Sequence, residues 1–211
     1  MVQVLKEHVR ERIEKAAEAR FAKSGFASAT MGEIAADAGV ATGTVYKYFP
    51  DKQSLFQAII PETFVAEMTR LTRIRIASFA SPGGMDAGQE PLRGDSGDLL
   101  DFFAGNRLKV VILLGRGEGT AYAEFTSDYV REMEDQTLKQ AGDQFPGLEQ
   151  TAVFRFMVRS RLEESVRGIV SILEAFEDID SIREAFSAAM VYQIAGINAL
   201  VEWGMRQGER A

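Results

Sequence analysis

The chain has 211 residues, 46% hydrophobic and 26% charged, enough apolar material for a packed core under an ordinary charged surface. It has no cysteine and one histidine, His8, which excludes disulfides and argues against zinc sites and histidine-based catalysis. The net charge is −7, yet residues 1–55 hold eight basic and seven acidic side chains against sixteen and twenty-four in the rest, so the acidity belongs to the later part. A head of that balance can still meet a polyanion if its basic groups share one face. No apolar run approaches the about 18–20 residues of a membrane span. The mixed charges of Lys6, Glu7, Arg10, Glu11 and Arg12 do not read as a secretory signal, so a cytoplasmic location without a membrane partner is expected.

In chain order, the first helix runs from Val4 to Lys23, with Val9, Ile13, Ala16, Ala17, Ala19 and Phe21 on its apolar face and Gly25 beyond its end. Thr30 with Glu33 three residues on predicts a capping box for a second helix ending at Gly39. Thr42 is placed to cap a third helix that Pro50 stops near Phe49. Asp51 caps a fourth, from Lys52 to about Phe79, which Pro61 kinks or divides. Ser81 to Asp98, with five glycines and two prolines, reads as a loop. The pattern resumes as one apolar helix from Leu99 to Leu114, broken by Gly115, Gly117 and Gly119. Three more helices follow, Thr120–Ala141, Leu148–Glu177 and Ser181–Gln207. No segment alternates as a surface strand does, so the fold class is all-α. A three-helix domain over residues 1–51 precedes a helical domain over 52–211.

A helix-turn-helix needs a small residue where its helices cross and a glycine that can turn left-handed between them. Ala35, Gly39 and Val45 stand at that spacing, with Ile34, Ala38 and Val40 as apolar support. The stretch Gly39-Val40-Ala41-Thr42-Gly43-Thr44-Val45-Tyr46-Lys47-Tyr48-Phe49-Pro50-Asp51-Lys52 closely resembles the signature of the TetR family of regulators. Gly25-Phe26 and Thr30-Met31-Gly32-Glu33-Ile34-Ala35 are also similar to that family. The resemblance covers about the first sixty residues; beyond them only the layout is similar. It implies a DNA-binding head and a ligand-binding, dimerising helical body.

By that resemblance Thr30, Thr42, Thr44, Tyr46, Lys47, Tyr48 and Lys52 carry DNA contact, and Gly43 lets backbone approach the duplex. The chemistry suits these roles. Threonine and tyrosine hydroxyls reach phosphates, Thr44 can touch a thymine methyl, and Lys47 can reach a guanine edge or a phosphate. Lys52 lies at a helix start that itself favours a phosphate. Plainer roles stand beside these: Thr30 and Thr42 as caps, Tyr48 as core, Lys52 as a solvated charge. Nothing in the fold requires Lys47, and the absence of arginine on this helix leaves room for readout through DNA shape.

In the body, Phe102, Phe103, Tyr122, Phe125, Phe154 and Met157 are candidates for lining a ligand pocket, although aromatic and methionine residues at helical spacing are usually core. Gly115-Arg116-Gly117-Glu118-Gly119-Thr120 lacks the lysine of a phosphate-binding loop and reads as an interhelical turn. On the last two helices, Leu162, Val166 and Ile169, then Met190, Ile194, Ile197 and Val201, are the candidate dimer interface, with Ala188, Ala189, Ala195, Gly196 and Ala199 permitting close helix approach. A second stripe through Ile182, Phe186 and Ala189 is expected to pack internally. The expectation is a non-enzymatic homodimer, without metal or cofactor, that binds a double-stranded operator as a repressor and leaves it when a small-molecule effector binds. An all-α enzyme using carboxylates, and an interaction module that has lost operator specificity, are the rival readings.

Overall fold

Every regular element among the described residues, 2–79 and 95–208 of a computed structural model, is a helix. They are α1 Val2–Ser28, α2 Met31–Asp37, α3 Thr42–Tyr48, α4 Lys52–Ile59, α5 Glu62–Ser78, α6 Asp95–Gly105, α7 Arg107–Gly115, α8 Phe125–Gln144, α9 Ala152–Ala175 and α10 Ile179–Gly208. The all-α reading therefore holds. Residues 81–94 of the expected loop lie outside the described residues, and Asp95–Asp98 already belong to α6.

Local signals account for the first four helices. Gly25 breaks α1 with φ of 79°. Thr30 accepts from the Glu33 backbone N–H at 3.2 Å, and the Glu33 carboxylate accepts from the Thr30 N–H at 3.0 Å, which is the expected capping box. The Thr30 hydroxyl also donates to that carboxylate, and these bonds hold its pKa below the ordinary value. Asp51 caps α4 through the Ser54 N–H at 2.6 Å. Pro61 separates two helices rather than kinking one: its carbonyl accepts from Phe64 and Val65 at the start of α5.

Several boundaries differ from the sequence reading, among them the start of α9 at Ala152 rather than Leu148. Ala41, not Thr42, is the N-cap of α3, with no side-chain cap, and Thr42 is the first helical residue. The apolar run 99–114 divides at Gly105 and Asn106 into α6 and α7. Residues Gly117 to Glu124 form turns, so α8 starts at Phe125 rather than Thr120. The Thr120 hydroxyl donates to the Gly117 carbonyl and accepts from the Tyr122 N–H, which fixes that turn.

The described residues divide into two compact units. The first holds residues up to Ala66 together with Asn106–Thr126; the second holds Glu67–Gly105 and the chain from Ser127 onward. The first unit thus runs past residue 51, where the helix-turn-helix was expected to end its domain. The added material is α4, the start of α5, and α7, whose Val110–Leu114 are all buried and which packs on α1. Phe21, Phe26 and Phe56 meet at ring distances of 5.3–5.9 Å in its core, with Ile13, Ile34, Val45 and Leu55.

In the second unit, α10 packs along α9 and touches α6. Phe103 meets Phe186 at 6.0 Å, and Arg183 pairs with Asp101 at 2.7 Å. Leu138, Phe154 and Val158 form a buried cluster covered by Leu148, Leu162, Leu200 and Trp203. Tyr129 and Thr72 share a buried hydroxyl hydrogen bond at 2.5 Å, and burial pushes the phenol pKa up. Ile179–Gln207 is long and apolar enough, by length and composition, to cross a membrane, contrary to the expectation that no segment would be. The expectation counted unbroken apolar runs, whereas the helix reaches this hydropathy with Gln193 and Asn198 inside it.

Candidate nucleic-acid interface and effector cavity

The turn between α2 and α3 is built by Gly39, whose φ of 63° lies in the left-handed region. Arg12 of α1 holds that turn from behind, its guanidinium donating to the carbonyls of Ala38 and, at 3.1 Å, Gly39. Arg20, also on α1, pairs with Asp37 at 2.6 Å. Sequence reading missed both contacts, which join residues 17 to 27 positions apart. Val45 on α3 is fully buried and Phe49 at its C-cap nearly so, α3 packs on α2, and its remaining side chains are turned outward.

The outward side chains are those singled out by resemblance. Thr42, Gly43, Tyr46 and Lys47 are exposed, and Thr44 and Tyr48 are half-buried. Tyr46 is 50% exposed, unusual for a large aromatic residue. Among the described residues no side-chain partner engages Tyr46 or Lys47. A Cβ at Gly43 would meet nothing within 4 Å, and its backbone is not left-handed. Neither packing nor backbone conformation inside the chain requires glycine there, although it costs helix stability.

Lys52 is different. Its ammonium donates to the carbonyls of Phe26 at 2.6 Å, Ala27 at 3.3 Å and Ala29 at 2.8 Å, and lies 4.4 Å from the centre of the Phe26 ring. All three donors serve the end of α1. The ammonium expected to meet a phosphate, or to be a solvated charge, is engaged by the chain's own carbonyls in this structure. Thr30 remains exposed, with its hydroxyl engaged in the α2 capping box. Arg10, which sequence reading did not place near α3, lies over the Phe49 ring at 5.3 Å while pairing with Glu14.

The second unit contains a cavity of about 590 Å³ between the end of α5 and helices α8, α9 and α10. Phe154 and Met157 line it, with Ile76, Phe79, Phe145, Leu200 and Trp203. Phe102, Phe103, Tyr122 and Phe125 do not. Phe103 is buried against Phe186, and Phe102 lies next to it. Tyr122 packs on Phe56 at 6.3 Å and on Phe125 in the first unit. Helical spacing marks these residues as inward but does not say which interior they enter. The uncharged polar residues of the wall include Thr137, Gln140, Gln144, Ser165 and Gln193, the last two hydrogen-bonded at 2.8 Å. The charged ones, Arg161 and Glu164, pair with each other at 2.5 Å.

The candidate dimer residues are all buried or half-buried in the single chain. Val166, Ile194 and Val201 are buried within the chain, and Leu162 packs on the Leu138–Phe154–Val158 cluster. Ile169, Met190 and Ile197 are half-buried. Steps of three and four connect Ile182, Phe186, Met190, Ile194, Ile197 and Val201, so the two stripes read from the sequence are one inward face. The outward face of α10 is a third one: Ala188, Val191, Tyr192, Ala195 and Ala199. It carries no charge between Glu184 and Glu202, and Tyr192 is 77% exposed.

Residues 13–59 match the family model described as bacterial regulatory proteins, tetR family. Among solved structures, the chain is similar to the fatty acid degradation regulator FadR from Bacillus halodurans, at 19% identity over 86% of this chain and 94% of that one, with a TM-score of 0.45. It is similar to NalD, the secondary repressor of the MexAB-OprM multidrug efflux pump in Pseudomonas aeruginosa, at 20% identity over 89% and 95%, with a TM-score of 0.42. A tetR-family transcriptional regulator from Streptomyces coelicolor matches at 20% identity over 97% and 89%, with a TM-score of 0.39. No curated protein matches the chain.

Proposed function

We propose that this chain, a tetR-family DNA-binding regulator by the head it carries over residues 13–59, works as a cytoplasmic homodimeric repressor that a small molecule releases from its operator. The observation that carries the operator reading is α3 itself. Tyr46 and Lys47 are exposed without an internal partner, and Gly43 has no internal need for glycine. Groups held outward at a cost to the folded chain are accounted for by a surface they meet. Thr42, Thr44, Tyr46 and Tyr48 supply hydroxyls for phosphates, and Lys47 reaches a base edge or a phosphate.

The effector reading rests on the cavity, whose volume falls in the usual range of about 300–1,000 Å³ for small-molecule sites. Helix α5 supplies a covalent route for the signal. It begins at Glu62 within the first unit, and its far end brings Ile76 to the cavity wall, with Phe79 just beyond it. An effector that packs differently against Ile76 in two positions of α5 biases the head, and such a differential affinity is what release requires. Dimerisation rests on the charge-free outward face of α10, and pairing doubles the operator contacts.

The test is a gel shift with DNA adjoining the protein's own gene, repeated with a panel of small molecules. Saturable binding to one site with two-fold symmetry, lost on adding an active compound, is the expected result. Equal affinity for all sequences at physiological salt would sink the operator reading.

A further inference from the structure

Helix α10 does two things at once. Its outward face, Ala188 to Ala199, is apolar, free of charge and rich in small residues. The same helix forms a wall of the cavity, and the two roles overlap: Tyr192 and Ala199 both belong to the outward face and line the cavity, as does exposed Gly196 beside them. Among the described residues, nothing of the chain covers the cavity along that edge. We infer that it takes a neutral, largely apolar molecule and that the second copy of the chain closes its outer edge, so that occupancy and dimerisation strengthen each other. The inference rests on the dimer and effector reading above.

Charge fixes the ligand class. Arg161 and Glu164 neutralise each other, and the rest of the polar wall is uncharged amide and hydroxyl. An ionised ligand would enter an apolar space without a counter-ion, whereas a neutral one finds hydrogen-bond partners on α8 and α10. The identity of the covering surface follows from the face itself. Alanine and glycine at 188, 195, 196 and 199 let an identical helix approach closely, and the absence of charge between Glu184 and Glu202 means two copies meet without repulsion. A face that is complementary to itself suits a two-fold contact. Closing the edge over a bound apolar molecule removes further apolar surface from water, enough for about a tenfold gain in affinity. By reciprocity the dimer tightens by the same factor for each cavity filled.

The experiment uses the full chain without DNA and two fluorescent probes that differ by one charge, neutral N-phenyl-1-naphthylamine and its sulfonate, 8-anilinonaphthalene-1-sulfonate. Probe binding is titrated while sedimentation velocity reports the oligomer. Three results are expected. The neutral probe binds at least tenfold more tightly than the sulfonate. It lowers the dimer dissociation constant of the wild-type chain. Ala195→Glu, on the outward face but outside the cavity wall, gives a monomer that binds the probe about tenfold more weakly. Should Ala195→Glu fail to fold, dilution of the wild-type chain through its dimer midpoint reads the same linkage. Ala141→Trp, which fills the cavity, abolishes binding and locates the probe. Equal affinity of monomer and dimer overturns the closure. Preference for the sulfonate overturns the ligand class, and a dimeric Ala195→Glu or probe binding that survives Ala141→Trp overturns the placement. Because no DNA is present, a failure here leaves operator binding standing, and a failed gel shift leaves this linkage standing.

Discussion

Replacing Lys52 by methionine separates a structural lysine from a DNA-binding one. The methionine keeps an apolar stem of similar length and removes the ammonium. Two short, partly buried hydrogen bonds to the Phe26 and Ala29 carbonyls are lost, with a longer one to Ala27 and the contact over the Phe26 ring. A hydrogen bond to a charged group contributes about 1.5–3 kcal/mol, and an exposed cation–π contact about 0.5–1 kcal/mol. These terms share one donor group and do not add in full, so the expected destabilisation is about 2–4 kcal/mol. Urea unfolding followed by circular dichroism reads it as a lowered midpoint. The salt dependence of operator binding is the second readout. If Lys52 in each of two heads neutralised a phosphate, its loss would flatten the slope of log affinity against log salt by about 1.8. The structure predicts an unchanged slope at temperatures where the variant is folded. A flattened slope with an unchanged unfolding midpoint would refute the assignment of Lys52 to the end of α1.

Four other outcomes follow from the same geometry. Gly43→Ala, at an exposed helical position with open space around it, should raise stability by about 0.5–1 kcal/mol in thermal unfolding and weaken operator binding by crowding the DNA backbone. Lys47→Ala should leave the unfolding midpoint in place and, where Lys47 reads a base edge, cost about 1–3 kcal/mol of discrimination at one half-site position in competition gel shifts. Gly39→Ala should destabilise by at least about 1–2 kcal/mol in urea, since φ is 63° and the new Cβ would lie 2.9 Å from the Arg12 guanidinium. Glu18 has its pKa raised by burial, with Lys109 and Lys15 opposing, so its ionisation works against folding. Its contribution is fully present below the unfolded value near 4.5 and is lost as pH rises through the higher folded value; Glu18→Gln should therefore stabilise at pH 7 and not at pH 4, as read by melting curves.

The head was legible because its instructions are local. A cap and its partner lie three residues apart, as with Thr30 and Glu33 or Asp51 and Ser54, and Gly39 marks its own turn. What escaped were contacts from one helix to the end of another. Arg12 to the Gly39 carbonyl and Lys52 to the Phe26 carbonyl span 27 and 26 residues, and no periodicity encodes them. In the body the period of the apolar residues was legible, but the direction of each face was not. Ile197 and Val201 read as a second stripe, yet they continue the face begun by Ile182 and Phe186. Phe154 and Phe103 have the same chemistry and similar spacing, but one lines the cavity and the other fills a different part of the core. Only the packing of several helices decides between those outcomes.

The two lysines near α3 show how much this matters for function. Lys47 and Lys52 carry the same charge five residues apart, and both suit a phosphate by type and position. The difference lies in whether the chain already engages the ammonium: Lys52 has three carbonyls around it, and Lys47 has no side-chain partner among the described residues. Arg12 and Arg20 are likewise committed to the turn and to Asp37. In the proposed operator complex their charges add to the long-range field around the head, while their donors are already engaged by the chain. Affinity in such a head falls to neutral donors, the hydroxyls of α3 and the backbone N–H groups at helix starts, which carry no salt term. If Lys47 alone pairs with a phosphate in each of two heads, the salt slope is about −1.8, shallow for an operator-binding protein. Readout through duplex shape then has more to supply than direct contact, consistent with a recognition helix that has one lysine and no arginine.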